Sequence, residues 1–250
     1  MKQSSATMYH IYSPWLRIFH WTMVLCVFTL FATGLYIGNP GFIGAIGVDP
    51  TFAVSSLFSM ETIRYIHFSA AWILVAALVL RIYGFIINKG DRLLPRFWTA
   101  LYWNGLQEML LHYLFLKRHH RPVLRNSLAR TSYLGVYVML LLEAVTGFAM
   151  YYMIHPNGLG AALFGPFNHF FVDEYTVHLI HHYIAWAFMI FVVVHVYMAF
   201  RADMMEPEGE ISSMFSGVKF FRHEPADIGD IADGKDHDHS AGSRQHTVNG

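Results

Sequence analysis

The chain has 250 residues, of which 55% are hydrophobic, 16% aromatic and only 14% charged, and its mean hydropathy is +0.37. Soluble domains carry about 25% charged residues, so this composition predicts a protein that crosses a membrane several times. The formal net charge is zero, which gives no support for nucleic-acid binding, and the single cysteine, Cys26, excludes an internal disulfide and a four-cysteine metal site.

Four apolar stretches are each long enough to cross a bilayer as a helix. They are Leu16–Ile37, Thr62–Ile87, Ala129–Met153 and Val177–Arg201. The first is longer than the apolar part of a signal peptide and no clear small-residue cleavage site follows it, so we expect it to be a retained span. The predicted fold class is an all-α membrane protein built as a bundle of four transmembrane helices.

The connectors between these stretches differ in basic residues. Those after the first and third stretches contain no Lys or Arg, whereas the connector after the second contains Lys89, Arg92, Arg96, Lys117, Arg118, Arg121, Arg125 and Arg130. Positive connectors stay in the cytoplasm, so both termini and the second connector are predicted to be cytoplasmic. Within that connector Phe97–Leu116 is apolar but polar on one side, which predicts an interfacial helix; a fifth span is the alternative.

The composition changes beyond about Glu206, where the chain becomes acidic, rich in glycine and finally rich in histidine. This composition predicts a disordered cytoplasmic tail, with metal sensing by the tail histidines as the alternative. We therefore expect a transmembrane domain over residues 1–221 and a tail over residues 222–250.

Four histidines in the apolar stretches fall at two matched depths. His181 and His195 are fourteen residues apart, which places them within about 40° of one face of a helix and about 21 Å apart along its axis. With the predicted topology, His20 lies at the cytoplasmic depth of His195 and His67 at the outer depth of His181. Imidazoles are costly in hydrocarbon unless they bind something, so both pairs are candidates for bis-histidine haem ligation; bonding to neighbouring backbone is the alternative.

Two further histidines lie beside His181. His182 is the rival ligand, but it is thirteen residues from His195, which turns it about 140° away from that residue. His178 precedes His181 by one turn and is expected either to orient His181 or to meet a haem propionate.

Glycines follow a similar spacing. Gly34 comes fourteen residues after His20, so the same helix face is bare at the other depth and a flat macrocycle could pass close to it. Gly135 and Gly147 are candidates for a similar clearance, and close helix packing is the alternative for each glycine.

Charged residues inside the spans are few. Arg81 follows His67 by fourteen residues and is a candidate counter-ion for a propionate at the cytoplasmic depth. Arg17 and Arg201 are candidates for the same role or extend to the membrane surface. Glu143 lies in the middle of the third span and has no partner that the sequence reveals.

Four segments around these residues resemble the b-type cytochrome subunit of membrane-bound nickel–iron uptake hydrogenases. They are Arg17-Ile-Phe-His-Trp, Ala32-Thr-Gly-Leu-Tyr, Arg64-Tyr-Ile-His-Phe-Ser-Ala and His195-Val-Tyr-Met-Ala-Phe-Arg-Ala-Asp, and the resemblance extends from Tyr9 to about Phe221.

The resemblance implies two non-covalent b haems ligated by His20, His67, His181 and His195. It also implies a bacterial cytoplasmic-membrane protein docked to a hydrogenase small subunit and, through it, the large subunit. Such a chain conducts electrons to a membrane quinone and is not a hydrogenase on its own. The alternatives are the gamma subunit of a formate dehydrogenase or related reductase, and a metal-ion transporter.

Overall fold

The computed structural model of the chain describes residues 7–38, 59–87, 92, 94–114, 116, 127–171, 173–205 and 209–221. Helices dominate these residues. In chain order the elements are β1 (Thr7–His10), α1 (Pro14–Gly38), α2 (Met60–Ile87), α3 (Ala100–Tyr113), α4 (Ser127–Ile154), α5 (Leu159–Phe164), α6 (Phe167–Phe170), α7 (Glu174–Met205), α8 (Glu210–Ser216) and β2 (Val218–Phe221).

The helices α1, α2, α4 and α7 are long and apolar enough to cross a membrane, which confirms the four predicted spans. Each begins or ends up to a few residues beyond the predicted bounds, because helical hydrogen bonding continues where the sequence becomes polar. At the start of α7 the Asp173 carboxylate accepts a hydrogen bond from the Thr176 N–H at 2.7 Å. Hydrogen bonding from the Thr176 side chain, together with this bond from its backbone N–H, lowers the pKa of Asp173 below its usual range.

The predicted connector helix is present as α3. Its 14 residues extend about 21 Å, which is too short to cross a bilayer, so the fifth-span alternative does not hold for this helix. Its last carbonyls, those of His112 and Tyr113, accept hydrogen bonds from the Arg201 guanidinium at 3.1 and 3.2 Å. The Arg201 side chain therefore caps the C-terminal end of α3. Its two predicted roles, as a propionate counter-ion or at the membrane surface, stay predictions.

A two-stranded antiparallel sheet joins segments from the two ends of the described chain. Thr7 of β1 pairs with Phe221 of β2, and His10 pairs with Val218. Ile11 and Phe221 are buried beside this sheet. The expectation of disorder from about Glu206 is therefore wrong for residues 209–221, which form α8 and β2; the rest of the predicted tail lies outside the described residues.

The chain divides into two compact units, one over residues 14–86 and the other over residues 1–13 and 87–250. The first contains α1 and nearly all of α2. In the second, α4 packs along α7 and also contacts α3, α5 and α6. The core of the second unit includes Leu140, Thr146, Ala149 and Val177, which are at most 1% exposed.

Candidate functional site

In the unit over residues 14–86, His67 of α2 is hydrogen-bonded to Thr33 of α1. The Thr33 hydroxyl lies 2.8 Å from His67 Nδ1 and 2.6 Å from the carbonyl oxygen of Thr29. A hydroxyl has one proton, and when it donates to the Thr29 carbonyl it accepts from Nδ1–H of His67. In this arrangement a neutral His67 imidazole carries its proton on Nδ1 and its lone pair on Nε2.

The other unit repeats this arrangement at His181 of α7. The Thr146 hydroxyl of α4 lies 2.9 Å from His181 Nδ1 and 2.6 Å from the carbonyl oxygen of Leu142. By the same donor count, a neutral His181 imidazole carries its lone pair on Nε2. A neutral imidazole with its proton on Nδ1 carries its lone pair on Nε2, and this is the tautomer that binds a metal through Nε2.

A glycine follows each of these threonines. A Cβ atom at Gly34 would lie 3.5 Å from Cε1 of His67, and one at Gly147 would lie 3.3 Å from Cε1 of His181. Both imidazole rings thus pack on a bare patch of the neighbouring helix, which is a role that the sequence had not assigned to Gly34. Gly135 has no atom within 4 Å of such a Cβ among the described residues. The contact of Gly34 with a macrocycle stays a prediction.

We call each of these pairs, Thr33-Gly34 and Thr146-Gly147, a Thr-Gly step. Sequence reasoning missed both threonines, although the recurrence of Thr-Gly in the first and third spans was a usable signal. The structure explains the recurrence, because the threonine of each step is hydrogen-bonded to a histidine of the next long helix in its own unit.

Glu143, which the sequence left without a partner, contacts the same histidine. Its Oε2 lies 2.7 Å from Nδ1 of His181. The Nδ1–H of His181 thus faces two acceptor oxygens, one from Glu143 and one from Thr146.

These contacts distinguish His181 from His182 as the candidate haem ligand. The His182 ring packs edge-on against His178, with 4.7 Å between ring centroids and an angle of 74°. Thr146 and Glu143 are the side chains that contact Nδ1 of His181. They occupy the orienting position that the sequence suggested for His178. The contacts favour His181 as the ligand.

His20 and His195 occupy different surroundings. His20 is half-buried on α1 and meets the Trp21 ring edge-on, at 5.2 Å between centroids. His195 is exposed on α7 and stacks on Phe191 at 5.6 Å, with 13° between the planes. Each predicted ligand pair takes one histidine from each unit, so the pairing stays a prediction.

The Arg81 side chain on α2 is buried, with only 6% exposed. A buried guanidinium within an apolar helix needs an anionic or polar neighbour. The counter-ion role of Arg81 stays a prediction.

Replacing Thr33 or Thr146 with valine tests the hydrogen bonds to Nδ1. Valine keeps the shape but removes the hydroxyl acceptor, so we expect Thr33→Val to retain haem about 10- to 100-fold less tightly. We expect a smaller loss in Thr146→Val, because Glu143 still accepts a hydrogen bond from Nδ1 of His181. The measurement is the rate of haem transfer from the purified protein to an excess of apomyoglobin. Thr29→Val is the matched control, because the Thr29 hydroxyl donates to the Leu25 carbonyl at 2.8 Å within its own helix. Equal haem loss in all three variants would contradict the assignment.

The donor set fits haem b. Haem iron takes two axial ligands from the protein, and neutral imidazole Nε2 atoms held on apolar helices supply such ligands. Histidines held at Nδ1 on membrane-crossing helices are typical of membrane b-type cytochromes.

The comparison with known families agrees with that class. Residues 11–217 match the family described as prokaryotic cytochrome b561, and the chain belongs to this family. As a b-type cytochrome it binds haem b and transfers electrons.

Several relatives are similar over most of their length. A probable Ni/Fe-hydrogenase 1 B-type cytochrome subunit of Escherichia coli (strain K12) is 32% identical over 229 residues, covering 87% of this chain and 93% of the relative. Probable Ni/Fe-hydrogenase B-type cytochrome subunits of Rhizobium leguminosarum and Cupriavidus necator are each 34% identical. They cover 85% of this chain, and 89% and 87% of their own lengths.

Proposed function

We propose that the chain is the electron-transfer subunit of a membrane-bound hydrogen:quinone oxidoreductase. In this proposal it receives electrons from a nickel–iron hydrogenase on the outer side of the membrane and passes them to a membrane quinone. Two b haems lie on this route, one held by His67 and His181 near the outer surface and one by His20 and His195 near the cytoplasmic surface.

The observation that carries the proposal is the pair of Thr-Gly steps. The Thr33 and Thr146 hydroxyls each contact Nδ1 of one imidazole, and the two imidazoles belong to the histidines predicted to share a haem. Threonine at both sites orients each ring before any ligand binds, which reduces the entropy lost on binding.

Bound haem b supplies a one-electron redox change that the side chains cannot supply. The protein contributes ligands, position and an apolar surrounding. His181 and His195 lie on one helix about 21 Å apart along its axis, so this single helix extends from one proposed haem depth to the other. The apolar helix surfaces exclude water from the proposed electron path, and this limits side reactions of the electron carriers.

A hydrogenase partner is supported by the relatives, whose names describe hydrogenase B-type cytochrome subunits. We propose that the partner's small subunit docks on the outer side and carries the large subunit. The chain is then the quinone-reducing subunit of the complex and has no hydrogenase activity by itself.

The proposed location is the bacterial cytoplasmic membrane, with both termini in the cytoplasm. The basic connector between α2 and α4 supports this orientation. The sheet adds independent support for a common side, because β1 and β2 can exchange backbone hydrogen bonds only if they lie on the same side of the membrane.

Hydrogen and formate distinguish the proposal from its nearest alternative, the gamma subunit of a formate dehydrogenase or related reductase. Membranes containing this chain and its native partners are made anaerobic, and the b-haem α-band is followed after either donor is added. We expect hydrogen to reduce most of the dithionite-reducible haem and formate to leave it oxidised. Reduction by formate but not by hydrogen would refute the hydrogenase partner.

A further inference from the structure

The Thr-Gly steps of α1 and α4 have nearly the same local geometry. Beyond its bond to the carbonyl four residues earlier, the Thr33 hydroxyl lies 3.2 Å from the Leu30 carbonyl, and the Thr146 hydroxyl lies 3.3 Å from the Glu143 carbonyl. The residue three positions before the threonine is therefore the point of difference: Leu30 on α1 and Glu143 on α4. One histidine has a threonine as acceptor, and the other has a threonine and a carboxylate.

The Glu143 carboxylate is the closer acceptor at His181. Its Oε2 is 2.7 Å from Nδ1, against 2.9 Å for the Thr146 hydroxyl. Hydrogen bonds to a carboxylate are shorter and stronger than those to a neutral oxygen, so the Nδ1–H of His181 is shared in favour of Glu143.

Glu143 is placed where a carboxylate is costly. Its side chain is 16% exposed in the middle of a membrane-crossing helix, and its Oε1 is buried with no hydrogen-bond partner among the residues that the structure describes. Leaving such an atom unsatisfied destabilises a fold. A leucine, as at position 30, would avoid that cost, which points to a functional reason for the carboxylate.

We propose that Glu143 is a positioning residue that lowers the reduction potential of the haem bound by His181. This inference rests on the proposed function, in which His67 and His181 ligate one haem. A histidine that donates Nδ1–H to a carboxylate gains electron density on its ring and becomes a more basic ligand. A more basic axial ligand stabilises ferric iron relative to ferrous iron, and hydrogen bonding around the ligands is one of the means by which proteins set haem potentials.

The consequence is an asymmetry between the two ligands of one haem. At Nδ1, His67 meets the Thr33 hydroxyl, whereas His181 meets the Glu143 carboxylate as well as the Thr146 hydroxyl. The effect is local, so the potential of the haem held by His20 and His195 is set without it.

The test uses the whole purified complex and two substitutions of Glu143. Glu143→Gln keeps the size and an acceptor oxygen but removes the carboxylate, and Glu143→Leu copies the residue found at position 30. Leu141→Gln is the matched control, because it places the same amide two residues away on the exposed face of α4. The readouts are haem content, a redox titration of the α-band, and the electron paramagnetic resonance spectrum of the ferric haems.

In both Glu143 variants we expect two haems per chain, a positive shift of one midpoint potential, and a changed g-anisotropy for that haem alone. Leu141→Gln is expected to match the wild type. Unchanged potentials in Glu143→Gln would overturn the proposal and leave the function intact. Loss of one haem in Glu143→Gln would also overturn it, because the carboxylate would then retain haem and not tune it. A wild-type complex without two b haems on this chain would refute the proposed function itself.

Discussion

Substituting alanine for His181 is expected to remove about half of the b haem from the purified protein, and His182→Ala is expected to remove little. The reason is geometric. His181 Nδ1 is held by Thr146 and Glu143, which leaves Nε2 free for iron, whereas the His182 ring packs on His178. An axial ligand cannot be deleted without loss of most of the affinity that it supplies.

The measurement is a pyridine haemochrome assay, normalised to protein, on wild type and both variants prepared in parallel. Circular dichroism shows whether each variant keeps its helices. Equal haem loss in the two variants would contradict the assignment, and greater loss in His182→Ala would reverse it.

Removal of either proposed haem should interrupt electron flow at a different point. In His195→Ala, hydrogen is expected to reduce the remaining outer haem while quinone reduction falls to background. In His67→Ala, hydrogen is expected to leave the remaining inner haem oxidised, although dithionite reduces it. The physical reason is distance: His181 and His195 lie about 21 Å apart along α7, and electrons do not cross such a gap at a useful rate without an intermediate carrier.

Two measurements on the same complex test the proposed order of the haems. The α-band under hydrogen reports the haem that remains, and quinol formation reports transfer out of the protein. Full reduction of the remaining haem by hydrogen in both variants would contradict the proposed sequence of carriers. Quinone reduction that survives in His195→Ala would place the quinone site on the outer side.

Much of the architecture was predictable because hydropathy is a local property. Every apolar stretch of about 20 residues must satisfy its backbone within a helix, so α1, α2, α4 and α7 follow directly from the sequence. The strands were missed, because β1 and β2 are four residues each and form only when the two ends of the chain meet. The same pairing explains why composition alone misjudged residues 209–221.

The candidate ligands were also visible in the sequence, since helical periodicity relates His181 to His195 without knowledge of any neighbour. Their supporting residues were not. Thr33 and Glu143 contact histidines of other helices, and the sequence alone does not reveal which helix faces pack together.

The sequence by itself determined the membrane-crossing helices and the position of each histidine along its helix, because these depend on the polarity and rise of one helix at a time. The tertiary structure decided which ring nitrogen of His67 and His181 contacts a threonine and which histidine Glu143 contacts. A hydrogen bond between helices depends on their packing, and that packing brings Thr33 to His67 and Glu143 to His181 within 3 Å.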